Sequence, residues 1–160
     1  MADTQQDEAM PELNWDFPRP YTLPIVPAEN EIDGLNHTNN AVYVQWCESV
    51  AWAHSQSLGL GIDDYRRLDR GMAIRQAAYD YLLPSFLGDQ LMLGTWLVAS
   101  DGNLLLERRF QLLRVADAAV ILRGTWKLVC IELSSGSVRR MPPEFRDGYL
   151  SALVGADVPA

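Results

Sequence analysis

Cysteine is nearly absent from this chain: Cys47 and Cys130 are too few and too far apart for a disulfide framework or a Cys-x-x-Cys redox or metal motif. Adding its two histidines gives no recognised zinc-ligand spacing, so no metal centre and no cofactor is expected. Positive charge is scarce as well. Against 21 Asp and Glu stand 13 Lys and Arg, a net charge of -8, which argues against a broad grip on nucleic acid or anionic membrane and leaves any anionic ligand to local arginines. No run approaches the roughly 18 uninterrupted apolar residues of a spanning helix, and Met1 to Glu8 is acidic where a signal peptide would be basic and then apolar. A soluble protein of the reducing cytoplasm is the expectation. Gly-x-Ser-x-Gly is missing, which excludes the nucleophile elbow of an α/β-hydrolase, and no Gly-rich phosphate loop is found.

What is present suffices for one core. The 160 residues, 48% of them hydrophobic, fit a single domain and sit far from the disordered class. Residues 1–19 are rich in Asp, Glu, Gln and Pro and read as a flexible leader that Trp15 and Phe17 tack down. The domain is expected over 20–153, with a flexible tail at 154–160. Tyr21 to Glu31 has strand composition broken by Pro24 and Pro27, which suits an edge or bulged strand and not a central one. Ala41 to Leu58 contains no Gly or Pro, carries apolar residues over more than a narrow stripe, and stops at Gly59 and Gly61. It reads as a helix wrapped by other elements.

Beyond a polar connector at Asp63 to Arg70, strand signals dominate: Met72 to Leu83, Gln90 to Ala99, Asn103 to Val115 and Ala119 to Leu133. Ser100-Asp101-Gly102 and Ala116-Asp117 are short enough for hairpins, so the later strands run antiparallel in succession. A short helix is expected near Glu144 to Leu153. One edge strand, one long helix and a run of long strands make an α+β pattern, a single helix on an antiparallel sheet. Such a sheet leaves edges that need pairing, so self-association follows from the pattern.

The chemistry concentrates in Asp33-Gly34-Leu35-Asn36-His37-Thr38-Asn39-Asn40-Ala41-Val42-Tyr43. It sets a carboxylate and several polar groups immediately before a helix N-terminus, where unpaired N–H groups and about half a positive charge favour a developing oxyanion. A carboxylate upstream suits a general base on water, or a nucleophile. Asp33 is also a good turn and cap residue, the plainer use of the same position.

This cluster resembles the signature of the 4-hydroxybenzoyl-CoA thioesterase group of hotdog-fold proteins, with Asp33, His37, Asn39, Asn40 and Tyr43 in register. Downstream, Tyr81-Leu82-Leu83-Pro84 followed by Leu87-Gly88-Asp89 is similar to the group's strand ending in proline and then Gly-Asp. The resemblance covers roughly 21–143. It implies a hotdog fold, an antiparallel sheet wrapped around one long central helix, and hydrolysis of acyl-CoA by a homodimer or homotetramer. Asp33 would be the catalytic carboxylate and the backbone N–H of Asn40 a donor to the thioester carbonyl. Asn36 departs from the usual glycine, though Asn tolerates the left-handed conformation. Ala51 departs from a common arginine, which removes an ion pair for Glu48.

The resemblance then places His37 and Asn39 beside the substrate, the plainer readings being a hydrogen-bonded structural histidine and a helix-capping asparagine, with Tyr43, Trp46, Tyr79 and Tyr81 as channel or core aromatics. Arg139 and Arg140 are either phosphate contacts for CoA or a solvated pair. Cys47 and His54 share a helical face seven residues apart and read as core. Two rival readings are a non-enzymatic acyl-CoA-binding hotdog module and a hotdog enoyl-CoA hydratase. The hydratase pattern resembles an aspartate with a histidine five residues on, whereas His37 follows Asp33 by four.

Overall fold

The computed structural model describes residues 11–154. Five strands, β1 (Tyr21–Ile25), β2 (Arg70–Tyr81), β3 (Leu91–Ser100), β4 (Leu105–Arg114) and β5 (Val120–Glu132), form one sheet in the order β1, β3, β4, β5, β2, every neighbouring pair antiparallel. Three helices accompany it: α1 (Asn40–Ser57), α2 (Ile62–Leu68) and α3 (Pro143–Ser151). The expected connector at Asp63 to Arg70 is therefore mostly helix. Its charge concealed a helical turn whose one buried side chain is Tyr65.

Asn39 caps α1, its side chain accepting from the N–H of Ala41 at 3.0 Å, and Gly59, at φ +78°, follows the helix end where a left-handed residue is needed. The buried residues Val42, Tyr43, Trp46, Cys47, Val50, Ala51, His54 and Ser55 recur in pairs every three to four positions, so one face of α1 meets the sheet. The expected helix packed by other elements is found, with the sheet on one side of it and the opposite face open within the single chain. Ala41, Gln45, Glu48 and Ser49 are exposed, because the apolar residues off the stripe are either small or, like Trp52 and Leu58, only half-buried.

The inner face of the sheet supplies Leu93, Leu106, Phe110, Leu122, Trp126 and Leu128 to a core shared with α1. The opposite face is covered near its middle by Asn14–Pro18. Trp15 and Phe17 pack on Trp96, Pro18 O accepts from Trp96 Nε1, Gln111 bonds Asn14 and Asp16, and Asp16 makes a two-pronged ion pair with Arg123. Gly94 makes room for this, since a Cβ there would lie 2.7 Å from the Trp15 ring. Of the leader expected at 1–19, the first ten residues lie outside the described ones. At the other end Val154 is buried and donates its N–H to Leu97 O, while the rest of the expected tail lies outside the described residues.

Because β2 lies at one edge and β3 three strands away, the segment between them must cross the end of the sheet. That crossing, Leu82 to Gln90, passes the N-terminus of α1 and builds the candidate site.

Candidate active site

The Asp33 turn is closed twice over. Its N–H donates to His37 O at 2.8 Å, and its Oδ1 accepts from Leu35 N at 2.8 Å and His37 N at 3.3 Å. Asn36 sits in the left-handed region at φ +63°, the conformation that its short polar side chain tolerates where glycine would otherwise be used. The second carboxylate oxygen, Oδ2, accepts no hydrogen bond among the described residues, and Asp33 is exposed.

Glu31, just before this turn, is bonded to the cap of α1, to its own short helical turn and to α1 itself. Asn39 N donates to Glu31 O, Glu31 Oε1 accepts from Ala28 N, and Glu31 Oε2 accepts from Trp46 Nε1. The crossing segment adds a buried set of hydroxyls. Ser85 Oγ lies 2.7 Å from Thr38 Oγ1 and 2.8 Å from Tyr43 OH, while Ser85 O accepts from both Thr38 N and Thr38 Oγ1. Tyr43 OH also accepts from Ser85 N. Asn40 N–H, at the first position of α1, has no hydrogen-bond partner among the described residues and remains a donor.

Between these parts opens a cavity of about 180 Å³ lined by His37, Asn40, Tyr43, Tyr81, Leu83 and Pro84, among others. His37 packs edge-on against Phe86 and Tyr43 edge-on against Trp46, while Tyr81 lies tilted on Tyr43. Burial raises the Tyr81 phenol above its ordinary range, so it stays a hydrogen-bond donor at neutral pH. Tyr81, Leu82 and Leu83 of the lining stand exposed, and so do Leu35, Phe86 and Leu87 on the adjoining turn and crossing segment, apolar surface on an otherwise acidic chain.

The structure thus brings His37, Asn39, Asn40, Tyr43, Trp46 and Tyr81 together at one end of α1, with Asp33 on the adjoining turn outside the cavity lining. Arg139 and Arg140 are not brought there within one chain. Tyr81 pairs with Leu122 whereas Arg139 N donates to Cys130 O, and that stretch of β5 separates them by roughly 25–30 Å at about 3.3 Å per residue. Cys47 is sealed in the core, where burial first and then the Glu48 charge push its thiol up, so it is no nucleophile. Ser85, Thr38 and Glu31 escaped sequence reasoning. A Pro-Ser pair in a loop gives no sign that its hydroxyl will be buried against residues more than 40 positions away.

A five-stranded antiparallel sheet on a central helix, with a polar turn at the helix N-terminus, is the hotdog architecture of thioesterases. The profile of the thioesterase-like superfamily matches residues 27–148, and the chain belongs to that family. Among solved structures it is similar to a 1,4-dihydroxy-2-naphthoyl-CoA thioesterase from Synechocystis, 17% identical, covering 88% of this chain and 100% of that one, TM-score 0.74. A Staphylococcus aureus protein determined in complex with CoA is 18% identical, over 91% and 93% of the two chains, TM-score 0.78. A 12:0-ACP thioesterase from Umbellularia californica is 15% identical, over 93% of this chain and 58% of that one, TM-score 0.76. No curated protein matches.

Proposed function

We propose that the chain is an acyl-CoA thioesterase in which Asp33 acts on the thioester while the N-terminus of α1 holds its carbonyl oxygen. The observation that carries this is the pairing of a carboxylate whose Oδ2 is unengaged, on a turn rigidly closed through Oδ1, with the unpartnered Asn40 N–H at the start of an 18-residue helix. The helix end adds about half a positive charge where an oxyanion would develop. In the general-base form, Asp33 takes a proton from water as its oxygen bonds to the thioester carbon. The oxyanion then collapses, the C–S bond breaks, and the CoA sulfur leaves as thiol with that proton. In the covalent form, Oδ2 itself attacks the carbonyl carbon, the C–S bond breaks and CoA leaves as thiolate, and water then hydrolyses the mixed anhydride to the free acid and the Asp33 carboxylate, its released proton going to the thiolate.

The proposal includes a two-fold dimer paired through β2. Among the described residues one edge of β2 is unpaired, and it is long, whereas β1 at the opposite edge has five residues including Pro24. Antiparallel pairing of two β2 strands about a two-fold axis would lay the Arg70 end of one subunit beside the Tyr81 end of the other. Arg139, at the Arg70 end, would then stand near its partner's Asp33 turn, placed to meet the phosphates of CoA.

Asp33→Asn tests the reading cleanly. The amide oxygen can still accept from Leu35 and His37, so the turn survives, while the basic Oδ2 becomes an NH2 group. We expect kcat on a panel of acyl-CoA thioesters to fall at least about 100-fold with little change in melting temperature. Hydrolysis at near wild-type rate would reduce Asp33 to a turn residue.

A further inference from the structure

A second cavity, of about 60 Å³, lies where the far half of α1 faces β2, β4 and β5. It is lined by Arg108, Ser55, Tyr65 and Tyr149 on the polar side, and by apolar side chains that include Trp52 and Trp126. Arg108 occupies an inward position of β4 between Leu106 and Phe110, where a strand of this sheet otherwise places hydrophobic residues. It is 3% exposed. Its Nη1 donates to His54 Nδ1 at 2.9 Å and to Thr95 Oγ1 at 3.2 Å, and its Nε and Nη2 have no hydrogen-bond partner among the described residues.

Neither acceptor carries a negative charge. Burial, and then the charge of Arg108, hold His54 down at about 4, so the ring is neutral and accepts through Nδ1. No carboxylate among the described residues pairs with Arg108. Burial lowers the guanidinium to about 10, which leaves it charged at neutral pH. A buried cation without an anion is costly, and an arrangement that keeps one is expected to use it. The neighbouring hydroxyls point the same way. Ser55 bonds Tyr149 at 3.1 Å and Tyr149 bonds Tyr65, so three O–H groups share two mutual bonds and one proton is left to donate elsewhere. Burial also raises both phenols above their ordinary range, so neither supplies the missing negative charge.

We propose that this cavity binds a small carboxylate on a short apolar stem, with Arg108 as the charged donor, the spare hydroxyl as the second donor, and the apolar lining around the stem. The volume would hold about four waters, or a carboxylate with a few carbons. Glu48, the one carboxylate in the lining, is exposed and so stands at the mouth, where it repels an entering anion and sets a limit on affinity. Such a carboxylate has two sources: a free short-chain acid, or the distal carboxylate of an acyl group whose thioester lies at the Asp33 end of the same helix. The second source rests on the function proposed above. Eight residues of α1, about 12 Å, separate Asn40 from Glu48.

Butyrate and butyramide, matched in shape and different in charge, give the test on the native protein by calorimetric titration at constant ionic strength. Butyrate is expected to bind at least about tenfold tighter than butyramide and to raise the melting temperature. Glu48→Gln should tighten butyrate binding, and Arg108→Met should erase the preference for the acid. Should Arg108→Met fail to fold, the acid-amide comparison and Glu48→Gln still decide. Equal binding of acid and amide, or none, in the wild type overturns the proposal. Hexadecanedioyl-CoA against palmitoyl-CoA, acyl chains long enough to span that distance of about 12 Å and go on to Arg108, then separates the sources. A kcat/KM preference for hexadecanedioyl-CoA that Arg108→Met abolishes assigns the site to the acyl group, and its absence alongside butyrate binding assigns it to a free acid. A protein that binds butyrate but hydrolyses no thioester would sink the proposed function and leave this site standing.

Discussion

Ser85 is buried with no exposed surface, and its hydroxyl is the one atom that joins the crossing segment to both Thr38 and Tyr43. Replacing it by alanine takes one partner from each of two buried hydroxyls. Thr38 Oγ1 keeps Ser85 O and Tyr43 OH keeps Ser85 N, but the Tyr43 proton loses the hydroxyl beside it, and an unsatisfied buried polar group costs about 1–3 kcal/mol. Ser85→Ala should therefore lower stability by about 1–3 kcal/mol in urea titrations, and should raise KM as the wall carrying Leu83 and Pro84 loosens. Unchanged stability would mean that a water replaces the hydroxyl without loss. His54 makes a pH-dependent contribution of its own. The charged group it faces is Arg108, with the Tyr21 ring stacked on it. Its folded value of about 4 lies below the unfolded one near 6.5, so between these values the unfolded chain holds the extra proton and stability falls as pH falls. Above about pH 6.5 the contribution is fully present, and below about pH 4 its loss is complete. Going from about pH 7.5 to about pH 4.5 should remove about 2–3 kcal/mol through this residue. His54→Asn, which keeps an acceptor for Arg108, should lose correspondingly less over the same range.

At the scale of elements, the strands and α1 were legible because their signals are local. Alternating apolar residues, the Ser-Asp-Gly and Ala-Asp turns and the Asn39 cap each depend on neighbours a few positions away, and the limits of β2 to β5 differ from the expected ones by one or two residues, whereas β1 stops at Ile25, six residues before the expected Glu31, and a short 3-10 turn at Glu29–Glu31 follows. The Asp33 turn was legible for the same reason, down to the left-handed Asn36. Its tie to Ser85 was not, because a contact across 47 positions leaves no periodicity. Neither was Arg108, whose inward place follows only from strand register, nor α2, whose seven residues bury one side chain. The register also makes the dimer edge testable. Along β2 successive residues turn their N–H groups alternately to β5 and to the free edge, so Ala77 and Ala78 face opposite ways. Proline at the one facing β5 should unfold the protein. Proline at the other should leave it folded, while light scattering moves from twice the 18.0 kDa chain mass to the single chain. Two folded variants with native association would rule out pairing through β2.

On the scale of the whole molecule, the separation of Arg139 and Arg140 from the Asp33 turn decides how the proposed site would have to be assembled. Inside one chain the stretch of β5 from Leu122 to Cys130 stands between them, so a phosphate contact from these arginines to a ligand at Asp33 has to come from a second subunit. The β2-paired dimer provides that geometry, and mixing variants distinguishes it from a site complete within each chain. Asp33→Asn lacks the carboxylate, and the double variant Arg139→Ala, Arg140→Ala lacks the phosphate contacts, so each homodimer has two defective sites. In a mixed dimer with sites shared across the interface, one site collects both defects and the other collects both native parts. After subunit exchange at equal amounts, half the dimers are mixed and half their sites are whole, so activity at low substrate should return to about a quarter of wild type. If each chain carried its own complete site, mixing would give only the average of the two variants. That second result would remove the arginines from the site and return them to a solvated pair, beside Glu132, whose carboxylate lies 3.7 Å from Arg139.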